Sequence, residues 1–396
     1  MSRSIDPGHF FQTDASETTR ALKAAKSGNK NGNPIVLQSK ILNAIQDPFS
    51  ACIYIAESAG CVRKVNLETR DTKIVYRGPA APVTSVAIGG HGGATVFAGC
   101  WDKEIWSWDR ESRVIGRRYK GHSDFIKAII CAKIGGKDCL ISGGADSKII
   151  VWDTATGDRL HTLRDRTDTM MALQDLAVDP QDSSDAEITL VSSSSDPHIR
   201  RWRINLSSAS QILDTVEVSL SQSRTVRDTI REHETSVYKV VFSGDDEDID
   251  LWTASADGTA KCLSREKNWS TQETYTHGDY VRAVVVTSDW VVTAGRDENV
   301  KVWDKSTGNL WHIYEGHYEE ITALVLLGQG NRVASFSIDG TIRTWGLERA
   351  DLNKARSERE DKLKGVVKEQ QVQPKKSLLT EEEEAELAEL MDSDDG

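Results

Sequence analysis

One spacing recurs along most of this chain: an Asp in a turn, followed six residues later by a Trp. Asp146 and Trp152 mark it most clearly, within the stretch from Gly121 to Asp153, GHSDFIKAIICAKIGGKDCLISGGADSKIIVWD. Runs of β-branched residues of strand length, separated by Gly and Asp turns, predict a small antiparallel sheet there. The pair returns at Asp102/Trp108, Asp196/Trp202, Asp297/Trp303 and Asp339/Trp345. Two degraded copies complete the set, Asp257 with Leu263 and Ala59 with Val65. The seven markers stand 43, 44, 50, 61, 40 and 42 residues apart. A unit of this length cannot bury its apolar faces alone, whereas stacked copies can.

That period, with Gly-His at the head of the unit and Trp-Asp at its tail, resembles the WD-repeat β-propeller family over residues 34 to 347. The resemblance implies an all-β fold: a single seven-bladed WD-repeat β-propeller, four strands to a blade. It also implies that Ile35-Val36-Leu37-Gln38 forms the missing fourth strand of the last blade and closes the ring, because the last copy ends at Trp345-Gly346-Leu347. An open ring would leave an unpaired edge.

The resulting domain plan has a flexible N-terminal tail (1–33), the propeller (34–347) and a charged, partly helical and partly disordered C-terminal tail (348–396). In the first tail, Ser27 to Asn33 reads as a flexible linker, and Thr18 to Lys26 could form a short helix with little apolar face. Too few residues precede the repeats for an F-box. In the last tail, residues 348–376 have helical composition up to Pro374, and Thr380 with Glu383 makes a capping box. From Glu381 onward there are nine acidic residues and no basic one. This segment reads either as a solubilising tail or as a helical docking motif for a basic groove. Three further charged or polar stretches, Asp179 to Glu187, Asn205 to Arg231 and Asp245 to Asp250, read as solvated loops.

The formal charge of −12 argues against nucleic acid as a partner, which needs a basic footprint. Arg200, Arg201 and Arg203 form the densest basic run, but alternate strand residues face opposite sides. None of the six cysteines forms a C-x-x-C pair. They read as buried free thiols, which suits a reducing compartment. The N-terminus has no apolar signal core, and no run is long enough to span a bilayer. A soluble cytoplasmic or nuclear protein without membrane attachment is expected.

Four copies contain a His, a Ser or Thr, and an Asp, which imitates a hydrolase triad. They are His122/Ser142/Asp146, His233/Thr253/Asp257, His277/Thr293/Asp297 and His317/Ser335/Asp339. A catalytic set occurs once and faces a pocket; this one recurs with the repeat. The family resemblance makes it a structural chain that ends on Trp152, Trp303 and Trp345 in the three copies that keep the Trp. Pro79 stands for the His in the second copy and Thr169 in the fourth, and the first copy lacks His, Asp and Trp. No metal-ligand spacing, phosphate-cradling loop or paired carboxylates occur, and no cofactor is expected. Gly89 to Gly93 reads as a loose turn.

In the family, the loops carrying the His and Asp lie on one face around the central channel. Three positions per copy are then free to specialise: the third and fifth residues after the His, and the residue before the Asp. These give Pro82 and Thr84; Trp101; Phe125 and Lys127; Ser195; Ser236 and Tyr238; Tyr280 and Arg282; Arg296; and Glu320, Thr322 and Ile338. Trp, Tyr and Arg are frequent interface hot spots. Trp101, Phe125, Lys127, Tyr238, Tyr280, Arg282 and Arg296 are therefore the candidate partner-binding residues, with the cations meeting a carboxylate or phosphate.

The expected function is a non-catalytic interaction scaffold, a single propeller chain within a hetero-complex that binds other proteins through acidic or phosphorylated peptides. One alternative is a substrate receptor of a cullin-type ubiquitin ligase, but the tails WDRE, WDTA, WDKS and WGLE lack the Trp-Asp-x-Arg signature of such receptors. Another is an acidic-tailed assembly factor for a ribonucleoprotein or chromatin particle. An enzyme with a site at the channel mouth is the alternative from a different class. Its candidate acids and bases are already taken up by the repeat.

Overall fold

A computed structural model describes residues 14–167, 169–217, 224–245 and 248–372. Seven four-stranded antiparallel sheets follow one another as blades. Blades 1 to 6 occupy residues 41–77, 83–120, 126–163, 173–211, 237–276 and 281–315. Blade 7 takes three strands from residues 321–346 and its fourth from Ile35–Val36, with Ile35 opposite Ile342 and Val36 opposite Thr341.

The alternation of side chains along each strand explains why the blades stack. In the second strand of blade 3, Lys137–Gly144, Leu140 belongs to the apolar cluster shared with blade 2. Its neighbour Ile141 belongs to the cluster shared with blade 4. Ile150 and Trp152 repeat the first choice, and Ile149 and Val151 the second. The central strands thus bury both faces, while outer strands such as Asp71–Arg77 and Arg159–Leu163 stay partly exposed. Each fully buried Leu or Ile contributes about 1.5–3 kcal/mol. The six cysteines are unpaired. Burial pushes the thiols of Cys100, Cys131 and Cys262 up to about 12, and those of Cys61 and Cys139 to about 11.

The polar residues before the closing strand do more than link. Asn29 Nδ2 donates to Gly316 O at 2.7 Å, and its Oδ1 accepts from buried Arg343 at 2.8 Å. Asn31 Nδ2 donates to Glu315 O at 2.9 Å. Gly32, at φ +66°, lies so close to the Trp345 ring that a Cβ would come within 2.7 Å of it. The segment from Asn29 to Gly32 is therefore bound to blade 7, and its Asn side chains supply acceptors and donors that the blade edge lacks. Before it, helix α1 (Asp14–Ser27) rests on the loops of blades 6 and 7 through Lys26–Glu298 (2.7 Å) and Lys23–Glu319 (2.6 Å). Exposed pairs of this kind are worth about 0.2–1 kcal/mol each.

The three stretches read as solvated loops also contain structure. Asp179 is buried, and its carboxylate takes Arg265 of blade 5 at 2.6 Å. Residues 205–231 contain the outer strand of blade 4, Ala209–Gln211, and a separate hairpin, Asp214–Glu217 with Arg224–Arg227. Asp245 and Asp248 sit opposite each other at the end of a hairpin in blade 5.

The described residues from Glu348 onward form a unit of their own. Helix α2, Arg349–Val372, runs to the last described residue, and the expected break at Pro374 lies outside the described residues. The Thr380 capping box and the acidic stretch from Glu381 lie outside the described residues. No described helix is long and apolar enough to cross a membrane.

Candidate partner-binding face

The four His-containing copies build the same chain of hydrogen bonds. In blade 3, His122 Nδ1 lies 2.9 Å from Asp146 Oδ1 and Nε2 lies 2.8 Å from Ser142 Oγ. Trp152 Nε1 donates to Ser142 Oγ at 2.9 Å. A carboxylate can only accept, so the ring nitrogen facing it carries the hydrogen. The other nitrogen then accepts from the hydroxyl, whose oxygen accepts from the indole. Blade 7 repeats this with His317, Asp339, Ser335 and Trp345 at 2.7–2.9 Å. In blade 6 the ring is turned, with Nδ1 of His277 facing Thr293 and Nε2 facing Asp297, both at 2.8 Å, while Trp303 donates to Thr293. Blade 5 has Leu263 in place of the Trp and keeps the rest: His233 reaches Asp257 at 2.8 Å and Thr253 at 2.7 Å.

Burial alone would raise the Asp146 carboxyl, but hydrogen bonds from His122 and the Ser123 amide, with the nearby Lys148 charge, hold it far below the usual carboxylate range. Asp257, Asp297 and Asp339 are lowered against burial in the same way by their own His partners. Burial dominates at His317 and lowers it, so this imidazole is neutral at pH 7.

The three blades without the His carry substitutes. Thr169 stands at the His position of blade 4, but its hydroxyl donates to Asp165 at 2.8 Å rather than reaching Asp196. Arg200 makes the bridge instead. Its buried guanidinium lies 3.2 Å from both Asp165 and Asp196, and Trp202 donates to Ser192 beside it. Arg200 was thus the misleading member of the basic run, since it is internal. In blade 2, Asp102 accepts from the Trp106 indole at 2.8 Å. In blade 1, buried Glu57 grips Arg63 through both carboxylate oxygens. Buried polar groups must be satisfied, and each blade does so with a different set.

A second set of seven positions lies inside this one. In every blade the pairing of the first and second strands slips by one residue immediately after its first pair. The skipped residues are Leu42, Thr84, Lys127, Gln174, Tyr238, Arg282 and Thr322. A β-bulge re-aims the side chain of the extra residue. All seven line a cavity of about 420 Å³ at the central channel. Six of them are the fifth residue after the His or its stand-in, Pro79 in blade 2 and Thr169 in blade 4. Leu42 was missed in the sequence because copy 1 has neither a His nor a stand-in from which to count, whereas Gln174 was left out although Thr169 gives its count; the first residue of each inner strand is the better marker.

The structure brings the candidate residues together in pairs. Trp101 of blade 2 and Phe125 of blade 3 stack at 5.0 Å and 16°. Arg282 lies 4.2 Å over the Tyr238 ring and 2.9 Å from Glu320. Arg296 lies 5.0 Å over Tyr280. Trp101, Phe125 and Tyr280 remain 43%, 37% and 41% exposed, so the pairs leave apolar surface open to a partner. Met171, also exposed, joins them on blade 4, where its amide donates to Asp196. Other positions are already committed to the ring. Thr84 and Thr322 donate to carbonyls of the next blade, Ile126 O and Ile41 O. Ser236 donates to Ser195 O at 3.0 Å, and Gln174 to Ser195 Oγ at 2.7 Å.

With this geometry in view, the chain was compared with known proteins. The family model described as "WD domain, G-beta repeat" matches residues 114–153, 269–304 and 308–346. An uncharacterized WD repeat-containing protein of Schizosaccharomyces pombe is 30% identical over 398 residues, covering 98% of each chain. The chain belongs to the WD-repeat family. The nuclear distribution protein PAC1 of Arthroderma otae is 24% identical over 64% of this chain and 56% of its own. Pre-mRNA-processing factor 19 of Oryza sativa subsp. japonica is 24% identical over 54% of this chain and 36% of its own. WD-repeat propellers typically act as non-catalytic scaffolds that bind other proteins.

Proposed function

We propose that this WD-repeat protein is a non-catalytic scaffold of a cytoplasmic or nuclear complex, and that it binds a peptide or loop of a partner on the channel-mouth face. The observation that carries the reading is the convergence of seven bulge residues on one cavity beside three exposed aromatic rings. These side chains differ from blade to blade, while the chain of residues that holds the loops in place recurs or is replaced by another polar clip. Exposed Trp and Tyr with neighbouring Arg is the composition of an interface centre. The cations at the mouth suit an acidic or phosphorylated group on the partner. Relatives named for nuclear distribution and for pre-mRNA processing fit a role within an assembly.

The test replaces Tyr280, Arg282 and Arg296 together with Ala and compares the proteins captured by wild type and variant. The expected result is loss of partners with an unchanged far-UV spectrum and melting temperature. Unchanged capture by a folded variant would overturn the reading.

A further inference from the structure

The charges around the channel do not cancel. Its lining holds three cations, Lys127, Lys239 and Arg282, and two carboxylates, Asp175 and Glu320. Lys239 pairs with Asp175 at 2.9 Å, and Arg282 with Glu320 at 2.9 Å. Lys127 is half-buried on its bulge and has no ion pair among the described residues. A partly desolvated ammonium without a counter-charge is unfavourable. Burial and the nearby Arg282 charge lower its basicity against the opposing pull of Asp124, which lies outside the cavity lining and makes no ion pair with it.

We infer that Lys127 receives a single Asp or Glu side chain of the bound protein segment, with an apolar residue next to it resting on the Trp101–Phe125 stack. This rests on the channel-mouth reading above and narrows it to the carboxylate. One negative charge neutralises the one uncompensated positive charge. A phosphate monoester carries close to two negative charges at neutral pH. It would leave one of them facing Asp175 and Glu320, unless it broke an existing pair. The aromatic stack is exposed on the rim beside Lys127, so charge and apolar surface belong to one footprint.

Selection from a random dodecapeptide library displayed on phage, against the full-length protein, tests this. Fluorescence anisotropy then follows an enriched peptide, its amide version (Asp→Asn or Glu→Gln) and its phosphoserine version. The expected peptides carry an acidic residue next to an aromatic or aliphatic one. Lys127→Met, which keeps the apolar stem, weakens the acidic peptide about tenfold or more, corresponding to about 1.4 kcal/mol, and leaves the amide version unaffected. The phosphoserine version binds no more tightly than the acidic one, and millimolar acetate does not compete. Tighter phosphoserine binding, or equal affinity for Lys127→Met, overturns the inference. If enriched peptides lack an acidic residue yet lose affinity on Trp101→Ala or Tyr280→Ala, the mouth still binds peptides and only the Lys127 assignment falls. If no peptide depends on those residues, or none is enriched, both fall.

Discussion

In blade 3, His122 and Lys127 are near neighbours on the same face, yet they obey opposite rules. His122 is buried with both ring nitrogens engaged. Where another blade changes that position, a different polar clip appears: Arg200 between Asp165 and Asp196, Trp106 on Asp102, Arg63 on Glu57. Lys127 sits on a bulge facing the channel, and the equivalent residues are Leu, Thr, Gln, Tyr and Arg without any such compensation. A buried polar group constrains its neighbours because leaving it unsatisfied costs about 1–3 kcal/mol or more. A side chain aimed at a solvent-filled channel has no such constraint. The first set holds the loops; in the second, Thr84, Thr322 and Gln174 are tied to the ring, and the remaining positions are free to serve recognition.

The sharpest way to break this contrast is at Arg200. Arg200→Met leaves two carboxylates facing each other at the junction of blades 3 and 4. It should destabilise the fold by about 3–5 kcal/mol, read from the urea midpoint. Adding Asp165→Asn and Asp196→Asn should return part of that loss. If Arg200→Met alone is neutral, the substitute lock has no structural weight.

Acidification should act on the lock in two windows. Burial holds His317 below its ordinary value, so on acidification the unfolded chain takes up that proton before the folded one does. The stability it contributes is present above about pH 6.5 and falls as the pH drops below that. Asp146, Asp257, Asp297 and Asp339 are also lowered, and their contribution is present above about pH 4 and lost below it. Urea midpoints at pH 7, 5.5 and 3.5 should therefore decline in two stages, and His317→Gln should flatten the first. A wild-type midpoint that stays level from pH 7 to 5.5 would count against this account.

The smallest effects fall on the channel mouth and should divide between the bulge ring and the rim beside it. Thr84→Val removes a hydrogen bond to blade 3 and should cost about 1 kcal/mol. Tyr280→Ala, on the rim, should stay within about 0.5 kcal/mol of wild type. Equal costs at the two sites would show that the channel side chains are not divided between holding the ring and meeting a partner.

Much of the fold was legible because the repeat is written locally. Asp146 and Trp152 are six residues apart wherever the unit occurs, and the turn and strand between them set that distance. The His chain followed from the same register. The candidate mouth residues followed where a His or its stand-in gave the count, and the count failed at Leu42, where copy 1 has neither. The internal role of Arg200 was not legible, because its partner Asp165 lies in the connection between blades 3 and 4, and a strand residue beside a Trp carries no mark of which neighbour it will meet.

The amino-acid order by itself therefore determined seven repeat units and the His, Ser or Thr, and Asp positions that four of them share, a short-range pattern repeated along the chain. The resemblance to the family added the expectation of seven blades, of closure by the strand at Ile35 and of a locking role for those residues. Only the tertiary structure decided that Trp101 stacks on Phe125, that Asn29 meets Arg343, that Asp179 takes Arg265 and that Lys127 has no ion pair among the described residues. Those contacts join residues brought together by ring closure and blade stacking, at separations for which the sequence has no spacing rule. The channel ring depends on one more feature of that kind, a slip of one residue in each blade that turns a side chain from the sheet into the opening.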